Sequence, residues 1–413
     1  MQPGARRIAA EILVAALGAA CLLAAGLATR AWFEHHFLPE FLHPRPGQLR
    51  ALAIVRWAVA ALGLALILVV RPLVGRAAEA APFRKLAIAA APSLVAVVLS
   101  FGAAELILDV VALRPRELSP PMYEPRRVRD PVLGWRQLPD RTAWAVKGGR
   151  RVRYDFDVHG YRVRERQQAV DLAAPTIVVV GESFIQGHGL FYDETMPAQL
   201  ARMMGVSTAN VAVGGYATDQ IYLLARNELP KFKRPVAVVT IFMPGLFHRN
   251  MDTDRPHLDR GLVWRPEDRP LQLVGVFHRL VQYRSDRQIA EGVADTQEQL
   301  RAIIALARAR GAVPVIVTPQ VGPETNEERM IRRRVLDDAG LPYVIAPMPE
   351  TWLLPQNRHP NARGARVMAA AVAAYLQKHE THDLARSSAA ATARLSGVDA
   401  VPDPAGSTSG LLR

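Results

Sequence analysis

Apolar positions fall in long unbroken runs over the first hundred residues. Beyond them, short apolar runs alternate with helically spaced ones. Residues 12–29 are 18 positions without a charge, 57–70 are 14, and 86–104 are 19. A helix crossing a bilayer needs about 20 mostly apolar residues. The first and third runs reach that nearly unaided. The second reaches it through 51–55 if Arg56 snorkels toward a headgroup or faces a helix neighbour. The pattern predicts three transmembrane helices over about 9–29, 51–71 and 86–108, a membrane anchor within 1–112. The other reading of these runs is buried helices of a soluble domain. Glu11 and the length of the first run argue against a cleaved leader.

After residue 170 the pattern changes. Short β-branched or apolar runs at 176–180 (TIVVV), 211–213, 235–242, 313–318 and 342–346 read as buried strands. Helical spacing occupies 196–204, 218–229, 296–310, 327–339 and 361–377. Strands separated by helices of this length predict an α/β domain over 171–380, a parallel five-stranded sheet with helices on both faces. Ligands of such sheets bind at the carboxyl ends of the strands. Residues 381–413, rich in Ala, Ser, Thr, Gly and Pro, read as a disordered tail.

Charge changes the picture in one place. The chain carries +13, of which +6 falls in 116–166, with 13 basic and 7 acidic residues. Arg126-Arg127 and Arg150-Arg151-Val152-Arg153 are the dense spots, and Pro115, Pro120, Pro121, Pro125 and Pro131 surround the first. Residues 113–170 therefore read as an irregular basic connector. Lying just after a span, it reads as attraction to anionic headgroups or as a solvated basic face with no partner, and not as a nucleic-acid site. Trp135 and Trp144 are candidates for the membrane interface. Counting Lys/Arg near the span ends gives six on the N-terminal side (Arg6, Arg7, Arg71, Arg76, Arg84, Lys85) against five (Arg30, Arg45, Arg50, Arg114, Arg116). That bias predicts a multi-pass inner (plasma) membrane protein whose C-terminal domain is extracytoplasmic. Cys21, the single cysteine, cannot form an internal disulfide, and no His/Cys spacing suggests a metal.

Candidate chemistry falls just after the strands. The first strand runs into Gly181-Glu182-Ser183-Phe184, which sets a serine at a helix N-terminus with an unpaired backbone N–H beside its hydroxyl. Alone, such a serine is more often an N-cap than a nucleophile. It is not the G-x-S-x-G elbow, because Gly187 comes two positions too late. The second strand lies in Asn210-Val211-Ala212-Val213-Gly214-Gly215-Tyr216, where paired glycines allow close backbone approach. His359 precedes the last helix in Gln356-Asn357-Arg358-His359-Pro360-Asn361.

In that order these segments resemble the SGNH (GDSL-type) hydrolases over roughly 172–378. Glu182 stands where the family usually has Asp. Val158-His159-Gly160-Tyr161-Arg162 resembles the lead-in of its membrane-anchored members. The resemblance implies a three-layer SGNH-like fold. It implies Ser183 as nucleophile, His359 as general base, and Ser183 and Gly215 N–H as oxyanion donors, with no cofactor. Two positions depart from the family. The oxyanion Asn expected after the third strand is missing, leaving Asn250 or His248. The Asp expected three residues before the histidine is Gln356. That leaves Gln356, Asn357 or Glu350 to orient His359, a carboxylate such as Asp219 from elsewhere, or a dyad. The implied activity is a membrane-anchored serine esterase removing acyl groups from an exported glycan or lipid. The alternatives are a cell-envelope polysaccharide O-acyltransferase served by a membrane acyl-donor protein, and a non-catalytic scaffold on the same fold.

Overall fold

The computed structural model describes residues 3–39, 45–80, 83–113, 126–147, 149–268, 271, 273–275, 283–355 and 358–379. The tail expected over 381–413 lies outside them, as do the prolines at 115–125.

Three N-terminal helices are long and apolar enough to cross a membrane. Helix α1 (Pro3–Leu27) is followed by the short α2 (Arg30–His36). Then α3 (Arg45–Ala65) and α4 (Arg71–Ala80) run on through one π-helical turn, and α5 (Phe83–Leu113) completes the N-terminal helices. Small residues let α1 and α3 touch. A Cβ on either Gly18 or Gly63 would stand 2.8 Å from the other's carbonyl oxygen. Arg56 is tolerated in the second span because its Nε donates to Ala25 O at 2.7 Å. That carbonyl lies in the last turn of α1, where it has no intrahelical donor.

The second part is an eight-stranded mixed sheet in the order β12-β11-β8-β6-β7-β5-β4-β3, beside a separate hairpin of β9 (His257–Asp259) and β10 (Val263–Arg265). Its five parallel strands are β6 (Pro175–Val179), β7 (Ser207–Asn210), β8 (Arg234–Ile241), β11 (Val313–Val321) and β12 (Tyr343–Met348). Between them run α6 (Ser183–Gln186), α7 (Met196–Met204), α8 (Thr218–Glu228), α9 (Asp286–Ala309) and α10 (Asn326–Arg332), and α11 (Ala362–Lys378) closes the domain. Helix α7 packs with α11 and α8 with α9, forming a layer on each face. The chain moves from β6 to β7 and then crosses back past β6 to β8. The loops after β6 and β7 therefore open a crevice at this reversal.

The five parallel strands match the expectation from apolar runs, with one shift. The second strand is 207–210, and 211–213 continues beyond it as buried extended chain, with Val211 N on Val179 O and Val213 N on Gly181 O. The polar STAN segment is sheet because it is enclosed: Thr208 Oγ1 donates to Pro197 O.

The larger correction concerns 113–170. Its described part is not an irregular connector. It holds a hairpin, β1 (Arg127–Asp130) with β2 (Gly134–Gln137). It also holds three strands, β3 (Arg141–Lys147), β4 (Arg150–Phe156) and β5 (Arg162–Val163), which extend the sheet antiparallel past β7. Alternation carries these strands. Ala143, Ala145, Val152, Tyr154 and Phe156 are buried while intervening arginines reach solvent. Counting charge hid a period of two.

Anchor and domain meet along a seam. Trp32 stacks on Tyr283, His36 Nδ1 contacts Arg284 O at 2.8 Å, and His35 Nε2 lies 2.5 Å from Asp286 Oδ1. On α5, Glu105 accepts from Leu273 N at 2.9 Å.

Candidate active site

Glu182 ends the loop after β6 and N-caps α6, its Oε1 accepting from Phe184 N at 2.8 Å. The next residue, Ser183, is buried at 8% exposure. Residues 176 positions apart meet here: His359 Nε2 lies 2.8 Å from Ser183 Oγ. The serine also donates to Glu182 Oε2. One hydroxyl proton thus has two neighbouring acceptors, a carboxylate and an imidazole. Proton abstraction by histidine requires the tautomer with Nε2 unprotonated.

A tight turn presents the histidine. Leu354 N donates to His359 O, and Arg358 N to Leu354 O at 3.1 Å. Arg358 sits at φ 52°, a left-handed conformation that costs a non-glycine residue of order 1 kcal/mol. Asn361 then caps α11, accepting from Arg363 N and Gly364 N. The imidazole packs against the rings of Phe184 and His188, with centroids 5.4 Å and 4.6 Å away.

The glycine pair after β7 lies beside the serine. A Cβ on Gly214 would stand 3.4 Å from Ser183 Cβ and 2.8 Å from Gln186 Oε1, so only glycine brings this backbone so close. Gly215 adopts φ 88°, which favours glycine. Trp135 covers both. Its Nε1 donates to Gly214 O at 3.2 Å, and its ring edge lies 3.3 Å from where a Gly215 Cβ would be. Trp135 is therefore a wall of the site, correcting its assignment to a membrane interface.

The turn after α6 is held from behind. Arg162, 1% exposed, donates to Gln186 O at 2.6 Å, Gly187 O at 2.7 Å and Leu190 O. Tyr154 lies under both Arg162 and Arg126, and its hydroxyl accepts from Gly189 N at 2.8 Å. Desolvation lowers Arg162 to about 10, which leaves it charged at neutral pH.

The remaining candidates sit elsewhere. Asn250 donates from Nδ2 to Thr296 Oγ1 at 2.8 Å and accepts from Thr218 N on Oδ1 at 3.0 Å, which ties two helices together, and it lines a small pocket with Glu182 and Tyr216. His248 is buried, and burial lowers its pKa to about 3, so it is neutral. Glu350 is exposed and pairs with Arg358 at 3.7 Å. Gln356 and Asn357 lie outside the described residues. Asp219 is buried at the start of α8, accepting from Gln220 N and Leu258 N. Among the described residues, His35, His36 and Asp286 are the group whose ligand atoms fall within metal-binding reach, 4.8 Å, and they lie at the anchor seam.

Glu182 as the carboxylate on the serine, His188 against the imidazole and Trp135 over the glycines were not singled out as site residues from sequence. Position beside Ser183 was the available signal for Glu182. Nothing local marks Trp135, which arrives from a hairpin 79 residues before Gly214.

The chain matches no family model and no curated protein. Solved structures with a similar arrangement include a lipolytic-type protein of the G-D-S-L family from Desulfitobacterium hafniense (12% identity, 48% of this chain and 98% of that one, TM-score 0.29). Another is an acetyl xylan esterase from Butyrivibrio proteoclasticus (12%, 51% and 66%, 0.33). A third is a carbohydrate acetylesterase from Sinorhizobium meliloti (10%, 49% and 99%, 0.32). At this identity and TM-score the likeness says nothing of what this chain does.

Asp219 yields a test by pH. Burial pushes its carboxyl up from 3.8 to about 6. The folded state then holds the proton more tightly than the unfolded chain. That contribution is full below about 4 and is lost as pH rises through about 6. Asp219→Asn carries no charge but leaves one of Gln220 N and Leu258 N facing an amide NH2. The stability of Asp219→Asn relative to the parent is therefore expected to shift in favour of the variant by up to about 3 kcal/mol between pH 4 and pH 8, in detergent-solubilised protein. Thermal melts of both proteins at both pH values check this, and a difference that does not change with pH would refute it.

Proposed function

We propose that the chain is a membrane-anchored serine esterase that removes acyl groups from an exported glycan or lipid through an acyl-serine intermediate. The observation that carries this reading is the 2.8 Å contact between Ser183 Oγ and His359 Nε2 at the carboxyl end of a parallel sheet.

In the proposed reaction His359 Nε2 takes the hydroxyl proton while Ser183 Oγ attacks the ester carbonyl. The oxyanion forms at the N-terminus of α6, beside Ser183 N–H and the Gly214-Gly215 backbone. The alkoxide leaves with the proton from His359. Water, deprotonated by the same imidazole, then hydrolyses the acyl-serine. Glu182 replaces nothing in this sequence of steps. It fixes the serine rotamer and places a negative charge near the imidazolium as it forms. Once His359 is cationic, that charge favours it.

Hydrolysis of a p-nitrophenyl acetate-type ester by full-length protein tests the chemistry. Ser183→Ala is expected to abolish it. His359→Ala is expected to lower kcat roughly 10²–10⁴-fold, the usual worth of a general base. Activity that survives Ser183→Ala would refute the reading. Topology is tested separately with reporter fusions: position 40 and the C-terminus are expected outside, position 78 inside. A cytoplasmic C-terminus would exclude an exported substrate.

A further inference from the structure

A cavity of about 990 Å³ lies between the N-terminal helices and the domain; its lining includes Arg358, next to His359, but not Ser183 or His359. Its anchor wall includes one face of α3. Pro46, Leu49, Arg50, Ala53 and Arg56 follow each other at helical i, i+3, i+4, i+7 spacing. From Arg45 to Arg56 this face runs about 16 Å along the helix axis. Its lower end is level with the last turn of α1, where Arg56 holds Ala25 O. The cavity therefore stands at the membrane surface on the side of the domain.

The two walls differ in charge. The anchor contributes Arg30, Arg45, Arg50 and Arg56, the domain Glu324, Glu327, Glu328 and Glu350. Several of these charges are already engaged on their own side: Arg30 pairs with Glu34 at 2.8 Å, Glu350 with Arg358 at 3.7 Å and Glu324 with Arg332 at 2.7 Å, and Arg45 donates to Phe37 O and Glu34 O. Across the gap, Glu327 acts on Arg45 and Arg30 electrostatically, yet no hydrogen bond or ion pair joins it to either. Two facing walls of opposite sign, close enough to feel each other but not closed, fit a ligand that carries both charges. Phe33, Pro39, Leu49 and Ala53 supply apolar surface beside them.

We propose that this cavity binds the headgroup of a zwitterionic phospholipid with a primary amine, its phosphate toward the α3 arginines and its ammonium toward Glu327. Guanidinium groups suit phosphate oxygens, and a primary ammonium offers N–H groups to a carboxylate. A phosphatidylglycerol lacks the cation, and a phosphatidylcholine lacks the N–H donors. The proposal concerns binding and does not rest on the esterase reading.

The test is native mass spectrometry of the full chain, released from nanodiscs of equal phosphatidylethanolamine, phosphatidylglycerol and phosphatidylcholine with matched acyl chains. Phosphatidylethanolamine is expected to be retained roughly tenfold over the other two, the worth of one good charged contact. Glu327→Gln should erase the preference over phosphatidylglycerol. Arg50→Ala should lower retention of both. Ser183→Ala should bind as the parent does, which separates this site from the catalytic one. Glycerophosphoethanolamine in solution should displace the lipid, and glycerophosphoglycerol should not. Equal retention of all three lipids, a preference unmoved by Glu327→Gln, or displacement by inorganic phosphate alone would each overturn the proposal.

Discussion

A buried guanidinium sets the shape of the site. Arg162 spends its terminal nitrogens on the carbonyls of Gln186, Gly187 and Leu190, which follow a helix too short to order itself. Each such bond from a charged donor is worth about 1.5–3 kcal/mol, offset by the desolvation that lowers the arginine's pKa. Without the cation, three enclosed carbonyls would face a void. Lysine could not replace it, since one ammonium cannot reach that fork of acceptors. The antiparallel strands β3–β5 therefore serve the serine from behind. Tyr154, stacked on the same guanidinium, adds Gly189 N–H to the arrangement.

From that fixed turn the rest follows by contact. Glu182 caps α6 and takes the Ser183 proton in hydrogen bonding. His359 arrives from the opposite end of the domain on a strained turn. The expected carboxylate behind the histidine is replaced in sequence by Gln356. A carboxylate nevertheless stands on the far side of the serine. Negative charge is therefore available to the pair from Glu182, by a different route from that of a serine–histidine–aspartate relay.

How much of this was legible in the sequence differed by element. The parallel strands were legible because both faces of each are covered, so apolar residues run without interruption. Ser183, Gly214-Gly215 and His359 were legible through their positions just after strands or before a helix. The β1–β5 region was not, because arginines at its solvent-facing positions masked the alternating Ala143, Ala145, Val152 and Tyr154. The contacts that Asn250 makes with Thr296 and Thr218 lie between helices far apart in the chain, which no spacing could reveal. Of the two environments expected for Arg56, a headgroup or a helix neighbour, the structure shows a neighbour, the open end of α1.

The central claim is that Ser183 is a nucleophile activated by His359. Its most direct measurement is the reaction of full-length protein with a serine-directed fluorophosphonate, with the adduct located by peptide mass spectrometry. The account predicts one adduct, on Ser183, forming on the order of 10²-fold more slowly in His359→Ala. An unmodified Ser183, or a rate indifferent to His359, would contradict it.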